Sequence, residues 1–510
     1  MIEKYKIVIG CEIHTQLTTK TKAFCACENR YGGMPDTRVC PVCLGLPGAM
    51  PRISKGYVEK GAIAGLALNC HISNYAKFDR KHYFYPDLAK GYQITQYDIP
   101  LCTDGFIDLP YVHLPESQRP GGSDYIGVDF TGKNNDIDGK FKRIRIERIH
   151  LEEDVGKSLH LEGKHSYIDY NRSGTPLIEI VTKPDMTSPE EAALFMQTAQ
   201  EILRFVQVTN GNLEEGNMRC DANINLTIWE DGKEYHTPIS EIKNLNSFRS
   251  IKDACHYEAQ RQLEEFKTNR QPFDPGFKNT MGWDDVNGKT VIQRTKNSFI
   301  DYRFTTEPDI KPFIVSDEFI ENARKQVGEL PESKRVRYRK EFGLSDFDVE
   351  TLTSSKTLAT WFEEAAKNAK DVKKVANLIL AELLAIVNER GVAINELGIT
   401  PVHITQLANA ASDGKITSKQ SKEVFAEMMA SGKLPEDIIK EKGFVVVTDT
   451  SAIEGFVTQV IAENPKAVED FKGGKTNVVG WLMGQVMKKS GGKANPKVAT
   501  ELLKRQLEAL

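Results

Sequence analysis

The hydrophobic pattern of this chain changes period once, and that change constrains its architecture more than any other feature. Up to about residue 312, short runs alternate polar and apolar residues, as in Lys142-Arg-Ile-Arg-Ile-Glu-Arg148 and Cys220-Asp-Ala-Asn-Ile-Asn-Leu-Thr-Ile228. A two-residue period with one polar side describes strands that face a core on one side and water on the other. Turn-forming groups bound these runs, at Thr103-Asp-Gly105, Asn171-Arg-Ser-Gly174 and Glu230-Asp-Gly232. Two helices interrupt them. Ser188-Pro-Glu-Glu191 opens the first, with a serine cap, a proline in the first turn and acids beside it, and the second covers about 250–267.

Past Asp309-Ile-Lys-Pro312 nearly every stretch follows the helical period, most strongly over 371–386, and short helices start at Thr400-Pro401, Thr417-Ser418, Leu434-Pro435 and Asn495-Pro496. The fold class is therefore α+β. A β-rich first part with a mostly antiparallel sheet precedes an all-α part and a small helical tail. The expected domains are 1–312, 313–400 and 401–510, in keeping with 510 residues at roughly 150 per domain.

With 67 basic and 71 acidic residues the net charge is −4, so any contact with nucleic acid must be confined to a local patch. The opening residues MIEKYKIVIGCEIH lack the basic and apolar regions of a signal peptide, and no apolar run reaches the roughly 20 residues a membrane span needs. A cytoplasmic protein with no membrane segment is expected.

Three groups of residues carry chemistry. The first is Cys25-Ala-Cys27 followed by Cys40-Pro-Val-Cys43, two close pairs that can converge as a closed structural zinc site. The other five cysteines, at 11, 70, 102, 220 and 255, sit in apolar runs and read as core. The second group is acidic. Glu12 and His14, two apart, share a strand face; His150-Leu-Glu-Glu-Asp154 brings Glu152 and Glu153; Glu179 interrupts Pro176-Leu-Ile-Glu-Ile-Val181; Asp221 and Glu241 lie on later strands. Oxygen ligands with one imidazole suit Mg²⁺ or Mn²⁺. For Glu152 and Asp154 a solvated strand end is the alternative.

The third group is Lys77-Phe-Asp-Arg-Lys-His-Tyr-Phe-Tyr-Pro-Asp87. Its Lys77, Arg80 and Lys81 suit phosphates, and Tyr83 and Tyr85 suit stacked bases; the alternative has the rings in the core and the charges on a rim. Positive charge also gathers near the end, at Lys488, Lys489, Lys493, Lys497, Lys504 and Arg505, as a phosphate-backbone patch or as an ordinary exposed helix face. Gly474-Lys-Thr476 and Gly288-Lys-Thr290 lack the glycine that a P-loop needs five positions earlier, where Glu469 and Trp283 stand.

Together these stretches resemble the B subunit family of the tRNA-dependent aspartyl/glutamyl amidotransferases. The resemblance rests on Val8-Ile-Gly-Cys-Glu-Ile-His14, the segment 77–87, Leu151-Glu-Glu-Asp-Val-Gly-Lys157 and Asn171-Arg-Ser-Gly-Thr-Pro-Leu-Ile-Glu-Ile180. It continues through Met218-Arg-Cys-Asp-Ala-Asn223, Glu241-Ile-Lys-Asn-Leu-Asn-Ser-Phe248 and Gly492-Lys-Ala-Asn-Pro496. It implies a cradle-like first domain, and a heterotrimer with an amidase A subunit and a small C subunit. It also implies ATP-dependent activation of the side-chain carboxylate of Glu-tRNA(Gln) or Asp-tRNA(Asn), followed by attack of ammonia. By the same resemblance His14, Glu153 and Glu179 would hold Mg²⁺. Glu12, Glu152, Asp221 and Glu241 would form a second site and a channel mouth. The 77–87 segment would border ATP or the aminoacyl end, and Lys488, Lys489, Lys493 and Lys497 would bind the tRNA. Two points depart from the family: Asp301-Tyr-Arg-Phe-Thr-Thr-Glu-Pro-Asp309 lacks its usual Tyr-Phe-Pro core, and only part of the family carries the zinc cysteines.

Overall fold

A computed structural model describes residues 2–110, 141–159, 165–269, 278–296, 302–444, 450–473, 478–491, 494 and 496–509. They form two compact units, Met1–Leu330 and Pro331–Leu510.

The first unit is built on a sheet of ten strands. In chain order these are β1 (Ile2–Gln16), β2 (His71–Ile72), β3 (Cys102–Pro110), β4 (Phe141–Glu153), β5 (Pro176–Thr182), β6 (Met218–Glu230), β7 (Lys233–His236), β8 (Ile239–Leu245), β9 (Lys278–Asp284) and β10 (Lys289–Lys296). Across the sheet the order is β10-β9-β8-β6-β1-β5-β4-β3-β2, with β7 paired on β6. Every pairing is antiparallel except β8 with β9. That parallel pair is joined through the helix Phe248–Asn269, because parallel neighbours need a crossover.

Alternation gives the sheet two unlike faces. On β1, Ile9, Cys11 and Ile13 are buried, whereas Glu12, His14 and Gln16 are half-buried. The apolar face is completed by Ile149, Leu151, Ile178, Ile180, Ala222 and Ile224, all nearly inaccessible. Three helices pack against the sheet: α1 (Lys55–Ala67), α2 (Pro189–Phe205) and α3 (Phe248–Asn269). The second begins as its sequence indicates, with Ser188 Oγ accepting from Glu191 N, proline in the first turn and Glu190 and Glu191 beside it.

Two features of this unit differ from the sequence expectation. Helix α1 is not evident in the sequence, because Gly56, Gly61 and Gly65 weaken helix propensity and its apolar residues encircle the axis. Those glycines permit close packing: a Cβ at Gly65 would lie 2.4 Å from Cys102 Sγ, and one at Gly61 would lie 2.6 Å from Leu151 Cδ2. Thr103-Asp-Gly105 is not a turn but part of β3. Asp104 adopts φ 53° inside the strand, and Gly105 admits Leu68 O within 2.7 Å of where its Cβ would be. The Asp231-Gly232 pair does turn the chain, with φ 49° and 71°, between β6 and β7.

Smaller sheets fold the 302–314 stretch back onto earlier residues. Asp79–His82 pairs with Tyr92–Thr95 and with Thr305–Thr306, and Phe313–Ile314 pairs with Tyr75–Ala76. The helix Asp317–Val327 then packs on α1, which keeps the first unit intact to Leu330 rather than ending it at 312.

The second unit is helical. One core gathers Tyr338, Trp361, Phe362, Ile404, Leu407, Val424 and Ile438, and a separate one gathers Val457, Leu482, Val486 and Leu503. The helix Pro401–Ser412 belongs to the first of these, so the cores do not part at 400. The helix expected over 371–386 runs from Val372 to Arg390, with a π-helical segment at Leu378–Leu383. Among the described residues no helix is long and apolar enough to cross a membrane.

Candidate active site

The polar face of the sheet collects ionisable side chains from four neighbouring strands. His14 on β1 stands opposite Glu179 on β5 and Arg219 on β6. Glu179 stands opposite His150 on β4, and Glu152 lies two residues further along that strand. His14 Nε2 is 3.4 Å from Glu179 Oε2 and 3.6 Å from Glu152 Oε1. His150 Nε2 lies 3.2 Å from Glu179 Oε2 and 3.8 Å from Glu152 Oε2. One imidazole and two carboxylates, His14, Glu152 and Glu179, thus present ligand atoms within 4.8 Å of one another.

Electrostatics bears on what this cluster can hold. Burial lifts the Glu152 carboxyl above its usual range, and the adjacent Glu179 lifts it further. Glu179 lies well below that range, since His150 and His14 outweigh its own burial. Burial favours a neutral His14, yet Glu179 and Glu152 carry its pKa up to about 9. Two carboxylates in a desolvated pocket draw a positive charge to the imidazole position, the environment that a hard divalent cation satisfies.

A second cluster adjoins it. Glu12 is two residues from His14 along β1, about 7 Å away, and it faces Asp221 on β6. Glu241 on β8 completes an all-oxygen group whose ligand atoms also lie within 4.8 Å of one another. Asn223 Nδ2 donates to Glu12 Oε1 at 2.9 Å, and Lys243 Nζ reaches Asp221 Oδ2 at 2.6 Å and Glu241 Oε1 at 3.1 Å. Burial would lower the Lys243 pKa, but those two acids raise it above its ordinary value. This cluster carries its own partial neutralisation.

Glu153, expected with His14 and Glu179, points elsewhere. Adjacent residues on a strand take opposite faces, and only Glu152 shares the face of His150. Glu153 Oε1 instead pairs with Lys90 and accepts from Ile94 N at 2.9 Å. The spacing His150-Leu-Glu152 is the signal that distinguishes the two acids. Sequence reasoning also passes over Arg219 and Arg172, which hold the buried Asp154 at 3.2 and 3.6 Å. They keep its carboxyl below the usual range despite burial.

Of the basic–aromatic segment, part faces the cluster. Lys77 pairs with Asp79 and Asp98, each at 2.7 Å. Arg80 grips Glu307 through two nitrogens, reaches Asp309 at 3.1 Å and stacks over Tyr92. Both cations thus sit in ion pairs within the unit, and Glu307 and Asp309 are the retained acidic end of the 301–309 stretch. Lys81 lies over the Tyr302 ring and lowers the Glu152 pKa, while Tyr85 and Phe84 are exposed. Tyr83 is half-buried near Glu152, and desolvation raises its hydroxyl pKa.

The four cysteines converge: Cys25, Cys27, Cys40 and Cys43 place their sulfurs within 4.8 Å of one another. Cys40 N donates to Cys43 Sγ at 3.1 Å. Cys25 chiefly, with Lys22 among the lesser causes, brings the Cys43 thiol down to about 5, while burial pushes Cys27 up to about 11. Lys22 is fully buried; its Nζ donates to Arg38 O at 2.8 Å and lies 3.8 Å from Cys43 Sγ. Among the described residues no carboxylate pairs with it. A buried ammonium whose partners are one carbonyl and a cysteine sulfur fits a thiolate cluster around a soft or borderline cation. The cysteine loop also braces the turn before β5, through Arg38 N to Asn171 Oδ1, Ala23 N to Gly174 O and Ser173 Oγ to Cys43 O. It therefore helps to position Glu179.

Of the tail lysines, Lys488 and Lys489 end the helix Val478–Lys489, and Lys489 pairs with Glu463. Lys497 lies in the helix Pro496–Glu508, and Lys493 falls outside the described residues.

The chain matches the GatB/GatE catalytic domain over residues 7–321 and the GatB domain over 360–507. The chain belongs to the GatB/GatE family. It is 60% identical over 505 residues to the B subunit of the aspartyl/glutamyl-tRNA(Asn/Gln) amidotransferase of Treponema denticola, covering 99% of this chain and 98% of that one. Identity to the protein of the same name from Treponema pallidum is 53% over 508 residues, with 99% and 95% covered. To that of Borreliella afzelii it is 46% over 507 residues, with 99% of each covered. The GatB/GatE catalytic match contains both carboxylate clusters, the cysteine cluster and all ten sheet strands except the first residues of β1.

Proposed function

We propose that this chain is the B subunit of a tRNA-dependent amidotransferase that converts Glu-tRNA(Gln), Asp-tRNA(Asn) or both to the amidated products. In this reading the side-chain carboxylate attacks the γ-phosphorus of ATP, ADP departs, and an acyl phosphate forms. Ammonia then attacks the acyl carbon, phosphate leaves and an amide remains. The amidase A subunit supplies the ammonia and a small C subunit completes a cytoplasmic heterotrimer. The observation that carries the reading is the pair of adjoining carboxylate clusters on the polar face of one sheet, in a sequence without a P-loop.

His14, Glu152 and Glu179 would hold one Mg²⁺, and Glu12, Asp221 and Glu241 a second. Bound there, such ions neutralise phosphate charge and orient the transferring group. His150 fixes Glu179 from the side away from His14. Lys243, paired with Asp221 and Glu241, limits the net charge of the second cluster. Arg219 and Lys81 flank the first cluster with fixed positive charge suited to phosphate oxygens. Lys81, Tyr83 and Tyr85 would border the aminoacyl end. Lys488, Lys489, Lys493 and Lys497 would meet the tRNA backbone. Cys25, Cys27, Cys40 and Cys43 would hold a structural Zn²⁺ with no open position.

The test is amidation of Glu-tRNA(Gln) and Asp-tRNA(Asn) by the assembled subunits with ATP, Mg²⁺ and either glutamine or ammonium. Glu152→Gln should abolish product with both nitrogen donors while tRNA binding persists, whereas Glu153→Gln should retain turnover. Product formation undiminished in Glu152→Gln would refute this placement of the activating site.

A further inference from the structure

Tyr57 lies in the first turn of α1, is fully buried, and donates from its hydroxyl to Glu152 O at 2.6 Å. Leu177 O lies 3.2 Å from the same hydroxyl oxygen. Leu177 stands opposite Glu152 where β4 pairs with β5, two residues before Glu179. One phenol thus reaches the main chain of both strands where they present two of the three ligand side chains of the His14 cluster. We propose that Tyr57 is a positioning residue that fixes the Glu152 carboxylate through its peptide plane and ties it to the cysteine cluster; this rests on reading His14, Glu152 and Glu179 as a Mg²⁺ site.

The carbonyl carbon and the Cβ of Glu152 share one Cα, so a hydrogen bond that holds the peptide plane also aims the side chain. A metal site needs its ligands within about 0.5 Å of their working positions. The phenol itself has little freedom. Phe24 packs edge-on against it with ring centroids 5.9 Å apart, and Phe78 stacks on it at 6.4 Å.

The same contacts lead to the cysteines. Phe24 is the neighbour of Cys25, and its carbonyl accepts from Arg52 N at 2.9 Å. Ala23 O accepts from Ser54 N at 2.9 Å, and Ser54, the N-cap of α1, accepts through its own carbonyl from Tyr57 N at 3.1 Å. The start of α1 is therefore pinned to the two residues that precede Cys25. A shift of the cysteine loop would move Tyr57, and with it the carbonyl of Glu152.

Tyr57→Phe removes only the hydroxyl and is the variant to test, with Mn²⁺ as the probe and electron paramagnetic resonance of the free ion as the readout. In the assembled enzyme it should weaken Mn²⁺ at one site about tenfold, the lower end of what loss of an outer partner does to a metal. The Mg²⁺ concentration for half-maximal amidation should rise by the same factor, with KM for Glu-tRNA(Gln) within twofold. In a Glu179→Gln background, where that site is lost, Tyr57→Phe should change nothing further. The tie to the cysteines is read from non-additivity: Cys40→Ser should weaken Mn²⁺ when Tyr57 is present, and by less than twofold in Tyr57→Phe. Unchanged Mn²⁺ affinity in Tyr57→Phe, even with a lower urea midpoint, would make the hydroxyl merely structural and overturn the proposal. Effects of Cys40→Ser and Tyr57→Phe that multiply in the double variant would overturn the tie. If the wild-type assembly forms no amidated product, the functional reading fails, and the Mn²⁺ titrations still decide the role of Tyr57 on their own.

Discussion

Lys22→Met tests whether the cysteine cluster holds a metal. The substitution keeps length and shape in a fully buried site, so the packing change is small. What it removes is a positive charge 3.8 Å from Cys43 Sγ. Two unit charges about 4 Å apart attract by about 4 kcal/mol at an effective dielectric constant of 20. Part of that gain is offset, because a buried ammonium itself costs several kcal/mol to desolvate. Four thiolates around a divalent cation leave a net negative charge, and the remainder of the attraction should appear in metal affinity. Loss of such an outer partner weakens binding by about 10–100-fold, which is about 1.4–2.8 kcal/mol. Competition against a chromophoric chelator measures the zinc dissociation constant of wild type, Lys22→Met and Cys40→Ser. Cys40→Ser should lose the ion, and Lys22→Met should weaken it yet keep amidation at saturating zinc, since no reacting group is touched. Equal zinc affinity in wild type and Lys22→Met would refute the argument that the buried ammonium balances thiolate charge.

Other outcomes follow from contacts elsewhere in the first unit. Lys142 Nζ lies 2.5 Å from Glu191 Oε2 and donates to Thr187 Oγ1 at 2.8 Å, with both members of the ion pair buried. Glu191→Gln should therefore cost about 3–5 kcal/mol in urea denaturation, and Lys142→Met added to it should recover most of that loss. His256 on α3 pairs with Glu190 on α2 at 2.7 Å, and that hydrogen bond raises its pKa. The imidazole is about half exposed, so its contribution is about 0.2–1 kcal/mol. It should be full below about pH 6.5, the ordinary histidine value, and vanish as pH rises through the elevated one; His256→Gln should remove that dependence from the denaturation midpoint.

Much of this architecture is legible in the sequence because it depends on local periodicity. The change of period, the Ser188 cap and the proline-led helices of the second unit all depend on neighbours within a turn. The cysteine spacing is equally local. What escapes reading depends on partners distant in the chain. Strand β1 lies between β5 and β6, so the meeting of His14 with Glu179 and Glu12 with Asp221 is set by long-range pairing that no window reveals. Helix α1 escapes because its glycines answer to Cys102 and Leu151 across the sheet rather than to helix propensity. Lys77 and Arg80 look like phosphate ligands because their acids, Asp98, Glu307 and Asp309, lie elsewhere in sequence. The choice between Glu152 and Glu153 is the exception. It is legible from strand parity alone.

The two unlike faces of the sheet also bear on how the chain finds a single folded state. Strand pairing repeats every two residues, so a slip by one turns every side chain over. In β1 such a slip would drive Glu12, His14 and Gln16 into the layer beneath the helices and expose Ile9, Cys11 and Ile13. The same error in β5 or β4 would bury Glu179 or His150 without its partner, at the cost of an unpaired charge. The site thus penalises misregistered pairings during folding as well as hosting chemistry afterwards. Replacing several of its acids with leucine would be expected to leave a sheet that is no less cohesive but free to settle in more than one alignment.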